Sequence, residues 1–380
     1  MPEEQNIAKP WMLAPTPDEL QELQGLTVQS FVAAARSFKR RTGIGADAVH
    51  PRAFASLSEE GTKAVVHMLQ LIEQSGVWPQ RLSHVYYFLI PKLGGGLRPI
   101  GLLPSLVRIW ERMRRPILSA WMQRQARSYD WAAVGKTAED AAWQQLVRAE
   151  GVDCIQDEPK ATAVTTVLLD MVKCFEKVRL IHVWRWGKYW GVPVGLLKLL
   201  LQVFSFQKTI IVDGSHSKPV HTVNAIIPGS AFSCAILHIV LLWPCDKLLQ
   251  LYPSIRLAKY VDDLTITVEG PRDEAADLAV RATKHLVLAL ENGLGMEVSK
   301  TVGGKAGKSV VLTSHVGMKA RMFQAMTRLG LRFEGRERYL GIDCYGKGKR
   351  KGTSARTKRM RLMQIRAGRL RVLKKDGAKV

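Results

Sequence analysis

The spacing of apolar residues changes period several times along the chain, and each change marks an element. Thr16, Pro17 and Glu19 have the spacing of a capping box with proline at the first helical position, so a helix is expected there, running through Leu23. A second helix is expected from Phe31 to Arg41. Between Thr62 and Ser75, Val65, Val66, Leu69 and Ile72 recur on one helical face, and Gly76 follows as a stop. The pattern then turns β-like. His84–Pro91 is rich in Val, Tyr, Phe and Ile, the run Gly94, Gly95 and Gly96 supplies a turn, and Leu97–Leu102 forms the returning strand.

Farther along, Thr137 with Asp140 opens an amphipathic helix through Trp143, Leu146 and Val147 that ends at Gly151, and a linker with Asp157, Glu158 and Pro159 follows. Thr162–Leu169 is a β-branched apolar run with the length of a buried strand, and Asp170 stands at its end. Ala231 to Cys245 is the most apolar stretch; short for a bilayer and interrupted by Ser233 and His238, it reads as a buried helix, with no transmembrane segment expected. Ile255 to Tyr260 and Leu264 to Val268 flank Val261, Asp262 and Asp263, so the tight joint of a hairpin would carry both acids.

Composition adds a partner class. The chain has 380 residues, 47% of them hydrophobic, enough to bury one large core or two to three smaller ones. Its formal charge of +23 exceeds what solubility requires and points to a polyanion such as nucleic acid; an anionic membrane surface fits the charge alone, but no membrane partner is expected. Much of the excess sits between Gly346 and Val380, where fourteen Lys or Arg face Asp376 alone. Leu362, Met363, Ile365, Leu370 and Leu373 are interleaved with them, so part of this tail is expected as a basic amphipathic helix. The five cysteines are scattered without a CxxC pair, and there is no HExxH, which speaks against a disulfide framework and a structural zinc site. Met1 to Asn6 is acidic and polar, unlike a signal or transit peptide, so an intracellular location is expected.

The acids then acquire a chemical meaning. Nucleotidyl transfer uses two divalent ions about 3.5–4 Å apart, held by hard oxygen ligands. Paired acids in a turn are ordinarily a solvated feature. Here Asp262 and Asp263 lie between two apolar strand-like runs of a basic chain, where their repulsion carries a cost that bound cations would relieve.

Tyr260-Val261-Asp262-Asp263 resembles the aromatic-x-Asp-Asp signature of reverse transcriptases, and Leu169 to Glu176, with Asp170, resembles their first palm motif. Ile90-Pro91-Lys92 through Arg98-Pro99-Ile100 is similar to the fingers motifs of the non-LTR (LINE-type) retrotransposon branch, as is Gly135 to Ala142. Pro228 to Ser233 resembles its template-grip motif, Ser299-Lys300-Thr301 the fourth palm motif, and Tyr339-Leu340-Gly341 the primer grip. The motifs occur in the family's order from about Gly43 to Gly341, which is more specific than any of them alone.

The resemblance implies an α+β right hand: an N-terminal helical extension over 1–42, fingers over 43–160, a palm with an antiparallel sheet over 161–345, and a basic tail that starts a partial helical thumb over 346–380. It implies an RNA-directed DNA polymerase that uses two Mg²⁺ ions, or Mn²⁺, and dNTPs to extend a DNA primer on an RNA template, and a nuclear location. Asp170, Asp262 and Asp263 would hold the metals. Lys92, Arg98 and Gly229 would meet the incoming nucleotide, and Phe175, five residues after Asp170, would exclude a 2′-hydroxyl beneath its sugar. Lys300 would protonate the leaving pyrophosphate, and Tyr339, Leu340 and Gly341 would hold the primer. The chain departs from the pattern at Pro228, where many relatives carry Gln, and at Glu176, where they usually carry Asp. Those departures keep open a palm-derived nucleic-acid-binding protein without turnover. An RNA-dependent RNA polymerase, against which Phe175 argues, and an intron maturase are further alternatives.

Overall fold

The computed structural model describes residues 9–23, 25–92, 96–144, 162–222, 224–339, 342–345 and 364. The described strands are, in chain order, β1 (His84–Pro91), β2 (Leu97–Leu102), β3 (Thr162–Leu169), β4 (Gln207–Val212), β5 (Ser215–His216), β6 (Arg256–Tyr260), β7 (Asp263–Pro271), β8 (Val310–Thr313), β9 (Arg332–Phe333), β10 (Arg336–Tyr339) and β11 (Ile342–Tyr345). Two compact units are built from interleaved stretches of chain: Met1–Arg127, Val172–Asp246 and Ala289–Glu297 form one, and Ser128–Met171, Lys247–Leu288 and Val298–Val380 the other.

The first unit carries a sheet in the order β2-β1-β4-β5. β1 and β2 have the bounds the sequence predicts and pair antiparallel from Tyr86↔Leu102 to Pro91↔Leu97. On its other edge β1 runs parallel to β4, His84 opposite Gln207 and Phe88 opposite Ile211. The helix Pro17–Gln21 has both bonds of the expected capping box, Glu19 N–H to Thr16 Oγ1 and Thr16 N–H to Glu19 Oε2, and Gly76 ends the helix Glu59–Ser75 at φ 65°. The second helix departs from expectation: it spans Val28–Arg36, not Phe31 to Arg41. Thr27 and Ser30 cap each other reciprocally at its start, and Ser37 Oγ turns back onto Ala34 O at 2.6 Å at its end.

Three long helices fill this unit's core. Ser105–Arg124 buries Trp110 edge-on against Trp78, with ring centroids 5.1 Å apart, and a buried Arg114–Glu73 ion pair also receives the Trp110 Nε1–H at 2.7 Å. Every residue from Gly195 to Phe204 is buried; Lys198 reaches Glu19 Oε2 at 2.7 Å, and Gln202 donates to Trp11 O at 2.9 Å. The apolar stretch predicted to stop at Cys245 forms a longer helix, Ser233–Leu251, which runs on through Pro244. By length and composition that helix is sufficient to cross a membrane, but Ile236, Leu237, Ile239, Val240, Leu241 and Leu242 are packed inside the protein.

The second unit is a five-stranded sheet in the order β6-β7-β3-β8-β9. β3 has its predicted bounds and lies in the middle, antiparallel to β7 and β8. One of its faces meets the helices Arg272–Leu288 and Val316–Arg328, where Thr165 points its hydroxyl at Met318 Sδ. Leu168, on the opposite face, joins Val310, Leu312 and Ala142 in a buried cluster. Coverage on both faces explains why this strand reads as a continuous apolar run and not as an alternation. Ala142 belongs to the helix opened by Thr137 and Asp140, whose side chains and backbone N–H groups exchange the predicted cap. The predicted remainder of that helix (145–151), the linker 157–159, Leu340, Gly341 and, apart from residue 364, the tail 346–380 lie outside the described residues.

Candidate active site

The second unit gathers the three acids at one end of its sheet. The last β3–β7 pair is Leu169↔Leu264, which carries Asp170 to the position beside Asp263. The backbone of Asp170 is fixed from the other side. Its N–H donates to Ser309 Oγ at 3.1 Å, its carbonyl accepts from Ser299 N–H at 2.8 Å, and Ser309 N–H donates in turn to Ser299 O at 3.2 Å. Ser309 is fully buried, so these bonds form away from competing water.

Asp262 and Asp263 sit where expected. Tyr260 pairs with Asp263, leaving Val261 and Asp262 as the two-residue turn of the β6–β7 hairpin. Val261 has φ 57°. Primed hairpin turns require a positive φ at this first central residue and favour glycine there, and a β-branched residue in that region costs about 1–3 kcal/mol. The hairpin is therefore held by its surroundings. Lys259, one residue before the paired Tyr260, is joined to Tyr129 and Trp131 by two backbone hydrogen bonds of 2.8 Å, and its ammonium lies 3.0 Å from Asp130 in a pair with side chains 2% and 1% exposed.

The electrostatics follow from this crowding. Burial, with the charges of Asp262 and then Asp170, pushes the Asp263 carboxyl up to about 6, while Lys308 acts in the opposite sense. Lys308 Nζ stands 3.6 Å from Asp170 Oδ1 and is 75% exposed, so the pair is readily exchanged for another cation. Neither Lys308 nor Ser309 figures among the residues singled out from the sequence. Ser309 is recognisable only through the fold, and Lys308 is one of many lysines in a basic chain. Among the described residues no three His, Cys, Asp or Glu side chains already stand as a group that would hold a metal ion. The donor set nevertheless suits a hard divalent cation: the acids offer only oxygen, and beyond the effect of burial Asp263 is repelled by Asp262 and Asp170, a repulsion that a cation would relieve.

Lys300 belongs to the same unit, its backbone wedged between two glycines. A Cβ on Gly307 would fall 2.3 Å from the Lys300 carbonyl carbon, and one on Gly330 would fall 2.6 Å from Lys300 Cβ. Tyr339 is placed on β10, opposite Ile342.

Lys92, Arg98, Phe175 and Gly229 belong to the first unit. Lys92 and Arg98 are exposed at the tip of the β1–β2 hairpin; Lys92 N–H donates to Gly96 O at 3.0 Å, and Arg98 pairs with Ile90. Gly229 is brought to the same strand. Gly101 N–H donates to Pro228 O at 2.6 Å, and a Cβ on Gly229, whose φ is 121°, would meet Gly101 O at 2.5 Å. Phe175 lies in the short helix Cys174–Lys177, half-buried, and its carbonyl accepts from Ile226 N–H at 2.9 Å.

No curated protein matches the chain. Among solved structures, similarity is found to the apo telomerase from Candida tropicalis truncated from its C-terminal domain, at 12% identity and TM-score 0.47 over 71% of this chain and 54% of that one. The apo telomerase from Candida tropicalis matches at 12% identity and TM-score 0.48, over 71% and 48%. Telomerase from Candida albicans in complex with a TWJ fragment of telomeric RNA matches at 12% and 0.47, over 70% and 46%. The chain thus spans about half the length of these structures. The family model described as reverse transcriptase (RNA-dependent DNA polymerase) matches residues 90–323, more than half of the chain, from the end of β1 through most of the helix Val316–Arg328. The fold is the α+β class of the right-hand polymerases, and the chain belongs to the reverse transcriptase (RNA-dependent DNA polymerase) family.

Proposed function

We propose that this chain is an RNA-directed DNA polymerase of the LINE-type retroelement branch, which extends a DNA primer on an RNA template with dNTPs. The observation that carries the reading is the sheet register that sets Asp170 beside the Asp262–Asp263 turn. Asp170, Asp262 and Asp263 would hold two divalent ions, Mg²⁺ or Mn²⁺, which when bound activate the primer 3′-hydroxyl and neutralise the leaving pyrophosphate. The chain's own part is to fix the carboxylates: Ser309 and Ser299 clamp the backbone of Asp170, and the turn at Val261 aims Asp262 and Asp263.

In the same reading Lys92 and Arg98 grip the triphosphate, Arg98 through its planar fork. Phe175 excludes ribonucleotides, Gly229 lets the backbone approach the nucleotide, Lys300 delivers a proton to pyrophosphate, and Tyr339, Leu340 and Gly341 hold the primer. The tail from Gly346 follows the primer-template backbone, and the place of work is the nucleus. The test is primer extension by the purified chain with RNA template, Mg²⁺ and dNTPs. Extension abolished by Asp262→Ala is expected; binding of nucleic acid without any extension would instead make this a palm-type binding protein.

A further inference from the structure

Two hydrogen bonds tie the loop from Ile227 to Ser233 to one buried acid, beside the bond from Gly101 N–H to Pro228 O. Glu111 lies on the helix Ser105–Arg124 and is 1% exposed. Ser230 Oγ donates to Glu111 Oε1 at 2.5 Å, and Ala231 N–H donates to Glu111 Oε2 at 3.1 Å. The same Ser230 hydroxyl accepts from Phe232 N–H at 3.2 Å, while Ser233 Oγ closes the loop onto Ile227 O at 2.6 Å. Above this network Gly229 is exposed, in a backbone conformation that only glycine adopts readily, and against Gly101 O.

We propose that Glu111 is the positioning residue of the Pro228–Ser230 loop, holding its backbone in the shape that meets the incoming nucleotide. The proposal rests on the polymerase reading given above. A carboxylate buried only for packing is poorly explained here, because an apolar side chain of similar volume is often neutral or stabilising at such a site. Both carboxylate oxygens are spent on loop groups, Ser230 and Ala231, and these neighbour the exposed Gly229. Pro228 offers neither an N–H nor a side-chain amide; its carbonyl accepts from Gly101 N–H at 2.6 Å, and Glu111 fixes the residues that follow it. Burial raises the Glu111 carboxyl to about 7 against the opposing pull of Ser230 and Ala231, so it is a carboxylate at pH 8.

The test compares Glu111→Gln, Ser230→Ala and Ser230→Thr with the unaltered chain at pH 8. The dNTP KM and kcat are read in primer extension, and hydrogen exchange is read at the amides of 229–233. Gln keeps the volume but has a single acceptor oxygen. KM is expected to rise about tenfold in Glu111→Gln, the loss of one charge-assisted hydrogen bond, with kcat changed less than about threefold. Faster exchange is expected in the loop alone, Ser230→Ala should move both readouts the same way, and Ser230→Thr should restore them. A fall in kcat at constant KM, with protection lost throughout the chain, would reduce Glu111 to a structural residue and overturn the proposal. Unchanged exchange at 229–233 would overturn it as well, whether or not the chain extends primers. Absence of extension by the unaltered chain would count against the polymerase reading alone.

Discussion

The Asp130–Lys259 pair is the most demanding electrostatic contact that supports the hairpin. The two charges stand 3.0 Å apart with side chains 1% and 2% exposed. At an effective dielectric of about 20 their attraction is roughly 5–6 kcal/mol, much of it offset by taking both groups out of water. The pair as a whole is therefore close to neutral for stability, whereas removal of one member strands the other. Asp130→Ala deletes the partner of a buried ammonium and also the acceptor of Ala132 N–H at 3.1 Å, so a loss of about 3–5 kcal/mol is expected. Lys259→Met leaves the carboxylate buried without its counter-charge and should cost a similar amount. The double variant Asp130→Ala/Lys259→Met should recover much of the loss, giving a coupling energy of at least about 2 kcal/mol. Chemical denaturation followed by circular dichroism measures all four proteins. Single variants that each cost under about 1 kcal/mol would refute the argument, because they would mean that water reaches the pair.

Glu111 makes stability depend on pH. Its carboxyl is raised to about 7 from an ordinary 4.5, so the folded chain holds that proton more tightly than the unfolded one. Its contribution is fully present below about pH 4.5 and is lost as pH rises through about 7, by roughly 3 kcal/mol in total; denaturation midpoints of Glu111→Gln measured across that window should lack this slope. Gly101→Ala would place a Cβ 2.3 Å from Ile227 Cγ2; a loss of about 1–3 kcal/mol is expected in thermal unfolding, partly recovered by adding Ile227→Ala. Val261→Gly should relieve the positive φ at the hairpin turn and raise the denaturation midpoint by about 1 kcal/mol in free energy, since the strain removed exceeds the entropy that glycine adds to the unfolded chain.

Local chemistry made part of this protein legible from its residues alone. The bounds of β1, β2 and β3, the capping boxes at Thr16 and Thr137, the glycine stop at Gly76 and the acids at the Val261–Asp262 turn and directly after it each depend on neighbours a few positions apart. The start of the second helix is hidden in the sequence because its cap pairs Thr27 with Ser30, where a Glu or Gln is the recognisable signal. The apolar run stops at Cys245 because the charged Asp246 and Lys247 follow, whereas the helix continues through Pro244 and past them to Leu251. The rest was decided only by the tertiary structure. The parallel partner of β1 comes from β4, the buried partner of Lys259 is Asp130, and the clamp on Asp170 comes from Ser299 and Ser309, all far away in the chain. Side-chain periodicity carries no information about contacts across such separations, because they arise when distant segments are packed into one sheet or one core. For the same reason Glu111 looks in sequence like any charged helical residue, and only the fold shows that it is buried beneath a loop more than a hundred residues away.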